Sequence, residues 1–325
     1  MSPSAFPIPL NPPVLLAPMS GITDLPFRQT VMRFGVGLVV SEMIAAGELV
    51  TRRRSSRARA RISADVPTAV QLAGREPHAM AEAARIAEGE GAPLIDINMG
   101  CPAKKVVGGL SGSALMRDLD VALKLIEAVV RAVRVPVTLK TRLGWDADCL
   151  NAPELALRAE GAGVRMITVH GRTRAQFYNG RADWPAIRAV CAAVRIPVIA
   201  NGDILNAADA RVALAQSGAQ GVMVGRGAQG RPWLPAQIAA VLHGTPKPLI
   251  PEGGALVDLV ATHYEAMLSF YGRDLGLRIA RKHLGWYVDA AGGPAELRAQ
   301  IVRIPDPAQV LTRLPEALGL AEAAI

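Results

Sequence analysis

Cysteine is scarce in this sequence. Three residues, Cys101, Cys149 and Cys191, lie far apart with no paired spacing. That argues against a disulfide framework and against the ligand spacings of zinc and iron–sulfur sites. Long hydrophobic runs are missing too. None approaches the roughly 20 residues needed to cross a bilayer, so no membrane partner is expected. The stretch Met1-Ser2-Pro3-Ser4-Ala5-Phe6-Pro7 has no basic region followed by an apolar core, so no secretory signal is expected. Together these absences predict a reducing, cytoplasmic setting. No G-x-G-x-x-G follows the first apolar run, which weighs against an open dinucleotide-binding sheet. No carboxylate–histidine cluster accompanies the polar residues discussed below, so no metal is expected.

What is present is a large apolar fraction and a basic balance. Half of the 325 residues are hydrophobic, enough for a barrel plus a smaller domain. The net charge of +8 favours an anionic partner such as nucleic acid, although basic soluble enzymes are also common.

Eight segments repeat one pattern: a short apolar or β-branched run, a glycine-rich or polar exit, then a helical stretch. The runs end near Pro18, Met43, Gly74, Cys101, Arg142, Gly171, Asp203 and Arg226. Successive ends lie 23 to 41 residues apart, the length of one βα unit. Pro136 and Pro197 each separate an alanine-rich helical run from a strand. Eight such units in series predict an α/β fold, a (β/α)8 TIM barrel. A doubly wound open sheet is the alternative. Past Arg226 the pattern changes. Residues 1–244 are expected to form the barrel, and the Pro- and Gly-rich stretch 245–254 a linker. Residues 255–325 are expected to form a small helical domain, with helices at Ala255–Phe270, Leu275–Ala290 and Pro305–Ala324.

One stretch stands out within the repeat. Leu94-Ile95-Asp96-Ile97-Asn98-Met99 reads as a buried strand that stops at Gly100 and cannot continue simply through Pro102. Cys101 is thereby placed on a glycine-rich loop at a strand exit, with its thiol away from the core. It is either a reactive group, tuned by Lys104 and Lys105, or an inert packing residue.

In such a barrel the site gathers at the C-terminal strand ends. Ala17, Pro18 and Met19 end the first strand. Gln71 lies on the third, and Asn98 and Cys101 end the fourth. Lys140 and Arg142 on the fifth are two apart and share a face. His170 ends the sixth, Asn201, Gly202 and Asp203 the seventh, and Gly225 and Arg226 the eighth. The paired glycine exits either simply make loops or let the backbone approach a ligand, where Arg226 suits a phosphate dianion. Lys140 in a barrel mouth needs an anionic or acceptor partner unless it is simply solvated. His170 either touches the ligand or lies beneath it as a satisfied polar residue. A phosphate handle beside a polar ring made for a flat heterocycle points to FMN.

These residues also carry a resemblance. Ala17-Pro18-Met19 with Gly21-Ile22-Thr23-Asp24, Asp96-Ile97-Asn98-Met99-Gly100-Cys101-Pro102, Leu139-Lys140-Thr141-Arg142, Val169-His170-Gly171-Arg172-Thr173-Arg174, Ile199-Ala200-Asn201-Gly202-Asp203 and Gly225-Arg226-Gly227 resemble the tRNA-dihydrouridine synthases. The spelling Asn98-Met99-Gly100-Cys101-Pro102-Ala103-Lys104-Lys105 is most similar to the bacterial B-type branch. The likeness extends to Arg278-Ile279-Ala280-Arg281-Lys282-His283. It implies an FMN-bound barrel that reduces the C5–C6 bond of tRNA uridines, with NADPH as electron source. It implies that Ala17, Pro18, Met19, Gln71, Lys140, His170, Asn201, Gly202, Asp203, Gly225 and Arg226 hold FMN. It implies Cys101 as the proton donor to C5, and no obligate protein partner; a thiol on a mobile loop can give that proton and be reprotonated.

The helical domain is implied to bind RNA. Arg278, Arg281 and Lys282 fall on neighbouring faces of one helix, beside Trp286 and Tyr287, which on the residues alone is either a solvated helix face or a mixture that suits phosphates and unstacked bases. A second cluster, Arg52, Arg53, Arg54, Arg57, Arg59 and Arg61, is equally open to RNA contact or plain solvation. An FMN barrel acting on a free pyrimidine, or a catalytically silent RNA-binding barrel, are the competing readings. The basic helical region weighs against the first, and intact Cys101 and Lys140 against the second.

Overall fold

The computed structural model describes residues 10–63 and 66–320. The N-terminal stretch Met1–Pro7 and the end of the tail at Ala324 lie outside them. Eight parallel strands form a closed ring. They are β1 (Val14–Leu16), β2 (Leu38–Val40), β3 (Thr68–Ala73), β4 (Leu94–Met99), β5 (Val137–Arg142), β6 (Met166–His170), β7 (Val198–Asn201) and β8 (Gly221–Val224). Each pairs with the next, and β1 also pairs with β8 at Val14↔Val222, which closes the barrel. All eight strands stand where the apolar runs placed them, and the (β/α)8 expectation is the observed fold.

The strands are buried on both faces, as a parallel sheet covered by helices must be. Outward side chains such as Ile95, Ile97 and Leu139 pack under the helices. Inward side chains divide by height. Leu15, Leu38, Ala69, Leu94, Met166, Ile199 and Met223, from seven different strands, make one buried apolar cluster inside the barrel. Further along β3 to β7 the inward positions turn polar: Gln71, Asp96, Asn98, Lys140, His170 and Asn201.

Two connections depart from the simple repeat. After β2 the chain adds a two-residue strand, Ile44–Ala45, on the edge of β3 and two short helices, Ala46–Val50 and Arg54–Ala60. Arginines 54, 57 and 59 therefore lie on a short helix, which clustered charge alone did not reveal. Beyond the last barrel helix, Leu234–His243, an irregular stretch leads to helices Gly253–Tyr271, Arg273–Ala291, Ala295–Ile301 and Pro307–Ala317. The first two match the expected pair to within two residues. The third was not expected; its seven residues are too few for a clear period.

These four helices have their own core, built on Tyr264, Leu284, Val288, Ile301 and Leu314. They meet the barrel along the helix Leu25–Met32. There Phe27 packs its ring 5.7 Å from His263 and 5.2 Å from His283. Both histidines are buried, and burial pushes their basicity down, His263 to about 3. No helix among the described residues is long and apolar enough to cross a membrane.

Candidate active site

The C-terminal strand ends surround a cavity of about 430 Å³. Ala17, Pro18, Met19, Gln71, Cys101, Lys140, His170, Asn201, Gly202, Asp203, Gly225 and Arg226 all line it. The structure thus brings together every strand-end residue singled out from the sequence, Asn98 and Arg142 included, whereas Lys104, Lys105 and the arginines between 52 and 61 do not line the cavity. It adds Met43, Tyr178, Ile204, Leu205 and Gln229, which sit on loops with no distinguishing local pattern. Among the described residues no three His, Cys, Asp or Glu groups converge as metal ligands.

The floor is an ordered hydrogen-bond chain. Asp96 is buried and accepts from the Gln71 amide at 2.6 Å and from the Thr138 hydroxyl at 2.6 Å. Burial raises its carboxyl above the usual range, while those two donors and nearby Lys140 pull it back. The Asn98 amide nitrogen donates to the Gln71 amide oxygen at 2.8 Å. The Asn98 amide oxygen accepts from the backbone N–H of Cys101 at 2.9 Å and of Gly100 at 3.2 Å. The Cys101 carbonyl in turn accepts from Ser113, at 3.1 Å from its backbone N–H and 2.9 Å from its hydroxyl. The backbone of Cys101 is therefore held on both sides. Its side chain is half-buried at the cavity wall, and Lys104 and Lys105 beyond it are exposed.

Positive charge dominates the other wall. The Lys140 ammonium donates to the Asn201 amide oxygen at 3.0 Å, and the Asn201 amide nitrogen donates to the Met223 carbonyl at 2.8 Å. Burial, helped by Arg142, lowers Lys140 to about 8. Arg142 is buried and reaches across to the carbonyls of Gly100 at 2.8 Å, Thr173 at 2.9 Å and Phe177 at 2.8 Å. It ties the Cys101 loop to the loop after β6. That loop carries Tyr178, which is 48% exposed beside the cavity mouth, with Arg142 and Arg226 each 5.5 Å from its ring.

At the exits of β7 and β8, two guanidinium groups share one carboxylate. Arg172 holds Asp203 through bonds of 3.1 and 2.6 Å, and Arg226 donates to the same carboxylate at 3.0 Å. Arg172 also bonds the carbonyls of Asn179 and Gly180. One negative charge against two positive leaves the exit with a surplus suited to an anion. His170 faces Arg172 at 3.2 Å. Burial first, then Lys140, Arg142, Arg172 and Arg226, holds its imidazole well below its usual value, so it is neutral. The guanidinium can only donate, so the facing Nε2 accepts and the proton sits on Nδ1. Gly202 adopts φ +113°, and a Cβ there would meet the His170 ring at 2.9 Å. Only glycine keeps both the turn and the ring.

The residues expected on the helical region divide. Arg278 and Arg281 are exposed on helix Arg273–Ala291. Lys282 is half-buried against the barrel, where its ammonium donates to the Gly21 carbonyl. Tyr287, expected to offer a ring to bases, is buried in the helical core, 3.0 Å from His263 Nδ1. Helical periodicity put it beside the arginines in sequence but on the inward face. Of the second arginine cluster, Arg53 pairs with Glu48 at 3.2 Å and Arg59 lies 3.9 Å from buried Glu42.

The comparisons with known proteins agree with this geometry. The family described as dihydrouridine synthase (Dus) matches residues 15–322. A protein of Rhodobacter capsulatus named "Probable tRNA-dihydrouridine synthase" is 66% identical over 317 residues, covering 97% of this chain and 97% of its own. One of Xanthomonas axonopodis pv. citri, named "tRNA-dihydrouridine synthase B", is 48% identical over 94% of this chain and 93% of its own. Among solved structures, histamine dehydrogenase from Rhizobium sp. 4-9 matches at TM-score 0.53 and 13% identity, over 78% of this chain and 48% of that one. That likeness is one of fold alone. The motifs along the strand exits, the cavity they line and these relatives agree: the chain belongs to the dihydrouridine synthase family.

Proposed function

We propose that this protein reduces uridine in tRNA to 5,6-dihydrouridine in the cytoplasm, with FMN held in the barrel mouth and NADPH as electron source. The observation that carries the reading is the convergence of Cys101, Lys140, His170, Asn201 and Arg226 on one cavity of about 430 Å³. The donor set fits a flavin phosphate. Arg226 and the surplus charge around Asp203 meet the phosphate, and Gln71, Lys140 and Asn201 offer donors to a ring edge. A Cβ on Gly225 would stand 3.7 Å from the Ala17 Cβ and 3.8 Å from the Met19 sulfur, filling space in the cavity that glycine leaves clear. Ala17, Pro18, Met19, Gly202 and Asp203 complete the cradle, and His170 packs against it.

When bound, reduced FMN supplies the hydride that saturates the uracil C5–C6 bond. The protein supplies position and a proton. Cys101, with its backbone held by Asn98 and Ser113, keeps the thiol at the cavity wall and donates the proton to C5. Lys140, held on Asn201, places positive charge in the cavity wall, where negative charge develops. The uridine leaves its stack to enter.

Residues 1–244 form the catalytic unit in this reading, 245–254 connect, and 255–325 grip tRNA. Exposed Arg278 and Arg281 meet phosphates. The test is single-turnover reaction of the FMN-loaded, reduced protein with tRNA, followed by detection of dihydrouridine. Yellow protein that is reoxidised as dihydrouridine appears is the expected result. Colourless protein that takes up no FMN, or tRNA left unreduced, overturns the reading.

A further inference from the structure

Between the barrel and the C-terminal helices lies a group of charges that the reaction does not use. Glu42, on the loop after β2, is 3% exposed. A carboxylate so buried needs donors. It accepts from the backbone N–H of Gly21 and lies 3.9 Å from Arg59. From the opposite side, the Lys282 ammonium donates to the carbonyl of the same Gly21. Buried Asp24 and Arg28 and the Tyr271 hydroxyl surround the pair, and Asp24 also caps the helix Leu25–Met32 through the Phe27 N–H at 2.9 Å. Gly21 is thus held on both its polar groups by elements separated by hundreds of residues.

The position of Gly21 gives this clamp its meaning. Met19, Ser20 and Ile22 beside it line the cavity, as does Met43 beside Glu42. The loop leaving β1 is one wall of the site. An ammonium bonded to a protein carbonyl and facing two carboxylates is committed to the fold. Arg278 and Arg281 of the same helix are exposed.

We propose that Lys282 is a positioning residue for the active site: with Glu42 it clamps Gly21 and so sets the wall of the cofactor cavity from the helical domain. The proposal rests on the FMN reading above for its consequence, and on the clamp itself for its geometry. Removing the ammonium frees the β1 exit loop and loosens the cofactor, without removing a phosphate contact.

The test compares Lys282→Met and Lys282→Arg in the purified holoprotein with wild type. Lys282→Met should raise the Kd for FMN about tenfold, the scale of one charge-assisted hydrogen bond. Backbone hydrogen exchange over residues 19–23 should rise with it. The slope of log K against log salt for tRNA should stay as in wild type. Lys282→Arg, which keeps a donor, should restore most of the FMN affinity. If Lys282→Met folds poorly, Glu42→Gln weakens the other half of the clamp and should move FMN affinity and exchange in the same direction. Unchanged exchange over 19–23 in both variants overturns the clamp. A salt slope reduced by about 0.7 to 0.9 with FMN affinity intact overturns it in favour of a phosphate contact. Exchange that rises in a protein that never held FMN upholds the clamp and sinks the FMN reading instead.

Discussion

The two halves of the barrel interior share the inward faces of β4, β6 and β7, yet share almost no chemistry. Below, Leu15, Leu38, Leu94, Met166, Ile199 and Met223 close the barrel with apolar volume. Above, Gln71, Asp96, Asn98, Lys140, His170 and Asn201 make a polar layer in which most groups already have a partner. A two-residue step along β4, from Leu94 to Asp96, crosses the boundary. The difference teaches that a strand's beginning supplies stability and its end supplies chemistry. The lower layer gains from burial, about 1.5–3 kcal/mol for each large side chain. The upper layer buries charge at a cost that only complete pairing offsets.

Breaking the lower layer should have the largest effect. Leu94→Ala leaves a void under the polar floor and should cost about 2–5 kcal/mol, read as a lower melting temperature. FMN affinity of the folded protein should hold to within a few-fold. Flavin lost without any loss of stability would show that the two layers are one.

Cys101→Ala should do the reverse. Uridine reduction should fall by about 10² or more, near 2.7 kcal/mol in the barrier, while melting and reduction by NADPH stay as in wild type. A variant that reduces tRNA at the wild-type rate would make the thiol a bystander.

Lys140 sharpens the comparison through pH. Its ammonium is lowered by burial from 10.5 to about 8. Between those values the unfolded chain holds a proton that the folded chain has released, so stability rises with pH across that window. Below about pH 8 both forms are charged, and the burial cost is fully present. In flavin-free protein, Lys140→Met should lack this rise, measured as denaturant midpoints at pH 8 and pH 10. Identical pH dependence in both proteins would place the charge in solvent.

The smallest effect belongs outside the barrel. Arg278→Ala and Arg281→Ala should each reduce the tRNA salt slope by about 0.7 to 0.9 with little change in melting. An unchanged slope in the double variant would move the RNA contact elsewhere.

Much of this was readable in the sequence, and the unread part has a common cause. The eight strands are apolar runs bounded by glycine or proline, a local signal, and the residues named at their ends all line the cavity. What escaped depends on chain folded back from far away. Arg172, read only as part of a motif, anchors Asp203 across 31 residues, and Arg142 ties Gly100 to Phe177. Lys282 and Gly21 are 261 residues apart, and no periodicity announces a bond between a lysine and a backbone carbonyl. The burial of Tyr287 and the brief helix Ala295–Ile301 likewise follow from packing within the C-terminal core.

The chain of bonds from Asp96 also has a sense of direction. An amide side chain is nearly symmetric in shape, and either end can face a polar neighbour. A carboxylate taking two donors is not symmetric in this way: it can only accept. Asp96 therefore compels Gln71 to turn its NH2 inward. That leaves the Gln71 oxygen to Asn98, and Asn98 must then show its own oxygen to the Cys101 loop. One charge at the bottom of the cavity orders two amides in series and decides that the loop above meets an acceptor. With asparagine in place of Asp96 the series could reverse as a whole, presenting NH2 where the backbone of Cys101 also donates. The polarity that the Cys101 loop meets is thus set beneath it, by a side chain that does not itself line the cavity.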